Sequence, residues 1–219
     1  MSYKVERVLS KLGQQSMLER SGKIHASPGD EMLAIAYDTG KFFEIFLIAM
    51  KAKRILEIGT SVGYSTLWFA NAIIHNYSAT PKKGKPIITV ERSTSKIKRA
   101  SKNFTEAGVE NLIEILEGSA KRVLNTISED LKGKEDNQKM DSFFDFIFLD
   151  ADKENLKEYF DMAFQMLRVG GVIATDNMLY PEEYSSFMSQ YANYIRSKNS
   201  AKTVTVAIGN GEEITTRLY

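Results

Sequence analysis

Five short runs of almost unbroken apolar residues, separated by longer stretches with helical spacing, constrain this chain most. They are Lys53–Gly59 (KRILEIG), Pro86–Glu91 (PIITVE), Asn111–Gly118 (NLIEILEG), Phe144–Asp150 (FDFIFLD) and Gly170–Asp176 (GGVIATD). A strand with one wet face alternates apolar and polar residues, whereas continuous apolarity belongs to strands covered on both faces. Between the runs lie SVGYSTLWFANAIIHNY, STSKIKRASKNFTEAG, SAKRVLNTISEDLKG and NLKEYFDMAFQMLRVG, all with apolar residues at helical spacing. Gly108 and Gly170 stand where helix C-terminal caps would. Such alternation predicts βαβ units and an α/β fold with a parallel, doubly wound sheet. The tail, KTVTVAIGNGEEITTRLY, holds two strand runs around Gly209-Asn210-Gly211, which predicts a closing antiparallel hairpin. Residues 1–50 read as a helical segment covering the sheet's ligand side, and 51–219 as the body of one domain.

At 219 residues the chain is long enough for one well-buried core. Its 29 basic and 28 acidic residues balance to +1, which gives no electrostatic footprint for nucleic acid or an acidic membrane. Cysteine is absent, so disulfides, thiolate metal sites and a cysteine nucleophile are excluded. The opening MSYKVERVLSKLGQQ has no apolar core of signal-peptide length. The most apolar window, Phe42–Met50, is interrupted by Glu44 and falls short of the ~20 residues of a membrane span. A cytoplasmic location is the expectation. Asn76–Pro86 and Glu129–Ser142 are polar and aperiodic, and read as surface loops.

Ligands of open α/β sheets bind beyond the carboxyl ends of the strands. The first such end reads Glu57-Ile58-Gly59-Thr60-Ser61-Val62-Gly63-Tyr64-Ser65, where Gly59 and Gly63 permit tight turning and close approach to a ligand. It is not a P-loop, and Ser61 occupies the middle-glycine position of a dinucleotide fingerprint. An adenosyl ligand without phosphates is therefore expected. Glu91, at the tip of the second strand run, can accept hydrogen bonds from ribose hydroxyls, and Gly118-Ser119-Ala120 is small enough for a purine to lie against. Taken singly, Glu57 and Glu91 could also be solvent-facing strand ends.

The fourth and fifth runs deliver Asp150 and Asp176-Asn177 at tips that are neighbours in a parallel order. Two carboxylates and an amide oxygen form a hard set suited to Mg²⁺, Mn²⁺ or Ca²⁺ rather than zinc. Helix capping by Asp150 and Asp152, and a turn at Asp176-Asn177, are the plain alternatives. Lys153 could reach the same point as a general base, or could be a solvated lysine. His25 and His75 lack metal-like partners at helical spacing, and Trp68 falls at core spacing.

The trio LEIGTSVGYSTL, LDADKENLKEY and GGVIATDNMLY resembles the metal-dependent O-methyltransferases of the caffeoyl-CoA and catechol type. The likeness runs from about Ile24 to the C-terminus, and D-A-D-K with a later D-N after GGV is its specific part. The resemblance implies a Rossmann-like fold with a seven-stranded, mostly parallel sheet and a final antiparallel hairpin. It implies that Glu57, Gly59, Ser65, Glu91, Ala120 and Asp150 line an S-adenosylmethionine site. It further implies that Asp150, Asp176 and Asn177 ligate a divalent cation, Mg²⁺ first among them, and that Lys153 is the base. A small catechol-like or caffeoyl-like aromatic hydroxyl is the implied acceptor, and a homodimer the implied assembly. After Asp176-Asn177 the family commonly carries a longer loop with a tryptophan. This chain has only MLYPEEYSSF, with Tyr180 as the aromatic, so acceptor identity does not transfer. An NAD-dependent oxidoreductase is disfavoured by Ser61 and by the lack of a suitable acid/base pair. A non-catalytic S-adenosylmethionine-binding protein would keep the glycine loop and lose the acidic cluster.

Overall fold

The computed structural model describes residues 3–77, 84–133 and 143–219. Much of the two segments read as surface loops, residues 78–83 and 134–142, lies outside the described residues. The elements are α1 (Tyr3–Arg20), α2 (Tyr37–Ala49), β1 (Ile55–Ile58), α3 (Tyr64–Asn76), β2 (Ile87–Glu91), α4 (Thr94–Ala107), β3 (Ile113–Glu117) and α5 (Ala120–Lys132). They continue with β4 (Phe144–Leu149), α6 (Leu156–Met166), β5 (Leu167–Thr175), α7 (Ser185–Arg196), β6 (Ala201–Val206) and β7 (Glu212–Arg217). The sheet has seven strands in the order β3-β2-β1-β4-β5-β7-β6, with β7 antiparallel to both of its neighbours.

The chain divides into two compact units, Met1–Ala52 with Thr60–Gly118, and Lys53–Gly59 with Ser119–Tyr219. In the first unit, α4 buries Ala100, Asn103, Phe104 and Ala107, one stripe at the 3.6-residue period. It starts at Ser93, whose hydroxyl accepts from the Lys96 N–H, and stops at Gly108 in the left-handed conformation (φ 71°). Glu44, which interrupts the apolar run of α2, is buried yet satisfied: Lys41 Nζ and Asn71 Nδ2 donate to it at 2.8 and 2.6 Å.

In the second unit, β4 lies between β1 and β5 and buries Phe144, Phe146, Ile147, Phe148 and Leu149. Successive residues of a strand point to opposite faces, so the unbroken burial from Phe146 to Leu149 means that both faces are covered, and the continuous apolarity follows from that. Asp145 is the exception, and it ties the start of β1 to β4. Its Oδ2 accepts from the Lys53 and Arg54 N–H groups at 2.7 and 2.8 Å, and Arg168 Nε donates to its other oxygen. Replacing Asp145 with alanine would leave those two amides without their acceptor. A loss of ~2–3 kcal/mol is expected, read by urea unfolding.

Gly170 is not a helix cap, contrary to the sequence expectation. The helix ends at Met166 and the chain enters β5 directly, with Gly170 (φ 72°) inside the strand. The register against β4 jumps there from Phe144↔Leu167 to Phe146↔Val172, so Gly170 and Gly171 form a bulge. A Cβ on Gly171 would stand 2.9 Å from the Arg168 carbonyl oxygen, which explains the second glycine.

Candidate active site

Within the first unit the loop Thr60–Gly63 leads into α3. Thr60 donates its N–H to the Val90 carbonyl at 3.1 Å, and its hydroxyl meets that of Thr89 at 2.6 Å. Ser61 adopts φ 46°, uncommon for a residue with a Cβ, and is held there by two bonds. Its N–H donates to Glu91 Oε2 at 2.8 Å and its hydroxyl to the Met32 carbonyl at 2.6 Å. Gly63 (φ 84°) is the left-handed residue before α3, and a Cβ there would stand 2.4 Å from Phe104. Ser65 is buried in the first turn of α3. Glu91 Oε1 also accepts the N–H groups of Arg92 and Ser93, at 2.8 and 2.9 Å. Three backbone donors thus orient this carboxylate, and an ionised carboxylate has about four acceptor positions, so capacity remains for a ligand hydroxyl. The same unit has an open pocket of about 580 Å³ lined by residues of α1, α2 and α3 with Ile35 and Ala36, and none of the residues picked out from the sequence as site residues lines it.

In the second unit Glu57 is fully buried on β1, and Gly59 follows at φ 109°. A Cβ on Gly59 would lie 2.0 Å from the Asp150 carbonyl oxygen, so only glycine lets the two strand ends run this close. Ala120, half-buried, opens α5.

The β4 and β5 tips meet as the parallel register requires. Leu149 pairs with Thr175, and the Asp176 N–H donates to the Leu149 carbonyl at 3.2 Å. Asp150 is half-buried, with Lys153 Nζ 3.3 Å from its Oδ1. Lys153 opens a single 3₁₀ turn before α6, and its side chain is only 10% exposed, so it is not a solvated surface lysine. Asn177, at φ 67°, donates its N–H to Asp176 Oδ1 at 2.6 Å. Asp152, ambiguous in the sequence, is committed to the following helix: Asn155 Nδ2 and the Tyr159 hydroxyl both donate to it, the latter at 3.0 Å.

One residue the sequence reading passed over joins this group. Glu212, first in β7, is fully buried, and among the described residues no donor reaches either of its oxygens. Its neighbour is the Asp176 carboxylate, a partner for a hydrogen bond only when one of the two is protonated. Burial first, then the charge of Asp150, pushes Asp176 up from 3.8 to about 7. Burial, then the charge of Asp176, likewise pushes Glu212 well above the ordinary glutamate range.

The sign of the consequence follows from proton counting. Between about pH 4 and 7 the folded chain keeps a proton on Asp176 that the unfolded chain has released, so stability falls as pH rises. Asp176→Asn removes that penalty. In chelator, the variant's melting temperature should gain on the parent's from pH 5 to 7 and level off above, as differential scanning fluorimetry would record.

The hard oxygen atoms of Asp150, Asp176 and Asn177, with the buried and unpartnered Glu212 carboxylate beside Asp176, are chemically compatible with a divalent cation. Among the described residues, no three histidine, cysteine, aspartate or glutamate side chains already converge as a metal cage. The set Asp150, Asp176 and Asn177 contains only two residues of those types.

A family model described as O-methyltransferase matches residues 10–208. The chain belongs to the O-methyltransferase family. Among O-methyltransferases of known description, a catechol O-methyltransferase of Niastella koreensis is 34% identical over 154 residues, 70% of this chain and 62% of that protein. A flavonoid 3',5'-methyltransferase of Vitis vinifera is 30% identical over 203 residues, 86% of this chain and 80% of the relative. A caffeoyl-CoA O-methyltransferase of Populus kitakamiensis is 31% identical, the match covering 68% of this chain and 56% of that protein. The matched region thus spans under two thirds of the Niastella and Populus relatives. Among solved structures, the O-methyltransferase TomG of Streptomyces achromogenes, in complex with S-adenosylmethionine, superposes with a TM-score of 0.74 at 26% identity, covering 97% of this chain and 90% of that one.

Proposed function

We propose that this chain transfers a methyl group from S-adenosylmethionine to a hydroxyl of a small catechol-like or caffeoyl-like aromatic, assisted by a divalent cation. The observation that carries the reading is the pairing of Asp150 with a nearly buried Lys153 at the β4 tip, directly beside a buried Asp176 at the β5 tip. Membership of the O-methyltransferase family and the catechol and caffeoyl-CoA enzymes among its relatives supply the chemical class.

In this reading Glu57, Gly59, Ser65, Glu91, Ala120 and Asp150 are the cofactor-binding residues. Glu91 takes the ribose hydroxyls with its remaining acceptor capacity. Asp150, Asp176 and Asn177 would hold the cation, with Mg²⁺ the first choice and Mn²⁺ or Ca²⁺ chemically compatible. Bound there, the cation supplies positive charge that favours the ionised acceptor hydroxyl, whose unperturbed pKa is ~10. Lys153, in its neutral form, takes the hydroxyl proton at Nζ. The oxygen's electron pair then forms the new O–CH₃ bond as the C–S bond breaks, and the sulfonium becomes the neutral sulfide of S-adenosylhomocysteine. Because charge is lost at sulfur, the site contributes mainly by holding the reacting atoms at about 3–3.5 Å and excluding water. Exposed Tyr180, which follows the strand-tip pair after the Met178-Leu179 link, is the aromatic available to touch an acceptor.

The reading includes a cytoplasmic homodimer, which sedimentation and cell fractionation would check. No described helix is long and apolar enough to cross a membrane. Its chemical core is tested by comparing a catechol with the matching monophenol as acceptor. The diol should be methylated at least about a hundredfold faster, because two oxygens fix its orientation. Equal rates would contradict a site built for a vicinal diol.

A further inference from the structure

The loop that follows Asp176-Asn177 is held by the hairpin at the end of the chain. The turn between β6 and β7 is closed by the Gly211 N–H, which donates to the Ile208 carbonyl at 2.8 Å. Its next two carbonyls serve the loop after β5. Gly211 accepts the Met178 N–H at 3.0 Å, and Asn210 accepts the Leu179 and Tyr180 N–H groups at 2.8 and 3.1 Å. Asp176 donates to Leu149 and Asn177 to the Asp176 carboxylate, so every N–H from Asp176 to Tyr180 has a partner. All those beyond Asn177 go to this one turn. Gly211 also leaves room for the loop. At its φ of 89°, a Cβ would stand 2.9 Å from the Leu179 nitrogen and 2.5 Å from Leu179 Cγ. The side chains here are unusual for a solvated loop. Met178 is buried, whereas Leu179, Tyr180, Tyr184 and Phe187 are large, apolar and exposed. Such a surface beside the β5 tip suits an aromatic ring. It buries too little of itself to fix its own position, and the bonds to Asn210 and Gly211 do so instead.

We infer that Gly211, with the Asn210 carbonyl, is a positioning residue for the methyl acceptor. The β6–β7 turn fixes where the loop presents Leu179 and Tyr180, and thereby which acceptor hydroxyl faces the methyl group. Resting on the methyl-transfer reading proposed above, this makes the closing hairpin part of what sets acceptor specificity. The turn acts through the loop it carries. Any displacement of Gly211 therefore moves Leu179 and Tyr180 with it.

The test uses the full chain with Mg²⁺, S-adenosylmethionine and protocatechuate, an unsymmetrical catechol whose two O-methyl products are separable. Gly211→Ala should lower kcat/KM for the catechol by about ten- to a hundredfold, as a displacement of about 1 Å can. Most of the loss should fall in the acceptor KM, and the ratio of the two products should shift. S-adenosylmethionine affinity by calorimetry should stay at the parent's value. A partly unfolded population lowers the amount of active enzyme and leaves KM and the product ratio alone. Gly22→Ala, at φ 69° and with nothing within 4 Å of its added Cβ, should keep both. Asn210→Gly loosens the turn without adding an atom, and its product ratio should move toward unity. Parent-like KM and product ratio in Gly211→Ala, or in Asn210→Gly where the first variant does not fold, would overturn the inference and leave the methyl-transfer reading standing. Failure of the parent to methylate any catechol would overturn both. Cofactor affinity lost together with acceptor KM would mean that the turn supports the whole site, and would also overturn the inference.

Discussion

Lys153→Met should lower kcat by two to four orders of magnitude, the usual contribution of a positioned general base. The side chain is 10% exposed and lies 3.3 Å from Asp150, so methionine can fill its place without opening the fold. Apolar replacement also leaves Asp150 free of its ion pair, so Mg²⁺ affinity should rise or stay level while turnover collapses. Rapid-quench measurement of the methylated product, alongside calorimetry for cofactor and cation, separates these effects. A variant that loses cofactor binding and turnover together would assign Lys153 to binding rather than proton removal. Raising the pH should rescue the variant in part, because solvent can then ionise a phenol of pKa ~10 without help.

The second large effect belongs to Gly59. Gly59→Ala puts a Cβ 2.0 Å from the Asp150 carbonyl oxygen at φ 109°, a conformation side chains rarely tolerate. The contact is with backbone, so relief requires moving the end of β4 itself. Strain at such a dihedral costs about 1–3 kcal/mol and overpacking a further 1–3, so melting should fall by on the order of 10 °C. Because the displaced atoms belong to Asp150, cofactor and cation affinities should drop with stability. The matched comparison is Gly22→Ala: its φ of 69° carries the dihedral strain, but nothing lies within 4 Å of its added Cβ. Equal effects at the two positions would mean that the close approach to Asp150 is unimportant.

Much of this site could be read from local pattern. Each parallel strand ends in a short turn whose residues are contiguous in sequence, so LEIGTSVGYS and LDADK announce themselves without tertiary information. Glu91 was legible as a strand tip. Its acceptance of the Ser61 N–H, which holds that loop, was not, because the contact spans 30 residues. Gly170 misled because a glycine after a helix signals a cap by pattern alone, whereas the bulge depends on the β4 register. Glu212 was missed for a related reason. An acid just after a hairpin turn ordinarily faces water, and only the pairing of Thr175 with Glu213 places it against Asp176. A signal did exist: two successive acids opening a strand face opposite sides, so a strand covered on both faces must bury at least one.

The central claim is methyl transfer to a hydroxyl at a cation-dependent site. Its most direct test is transfer of a labelled methyl group from S-adenosylmethionine to a catechol panel, first with Mg²⁺ and then with chelator, the product being identified by mass. The account predicts a singly O-methylated catechol with Mg²⁺ and loss of that product in chelator, restored by added Mg²⁺. Undiminished methylation in chelator, or label recovered on an atom other than a hydroxyl oxygen, would contradict it.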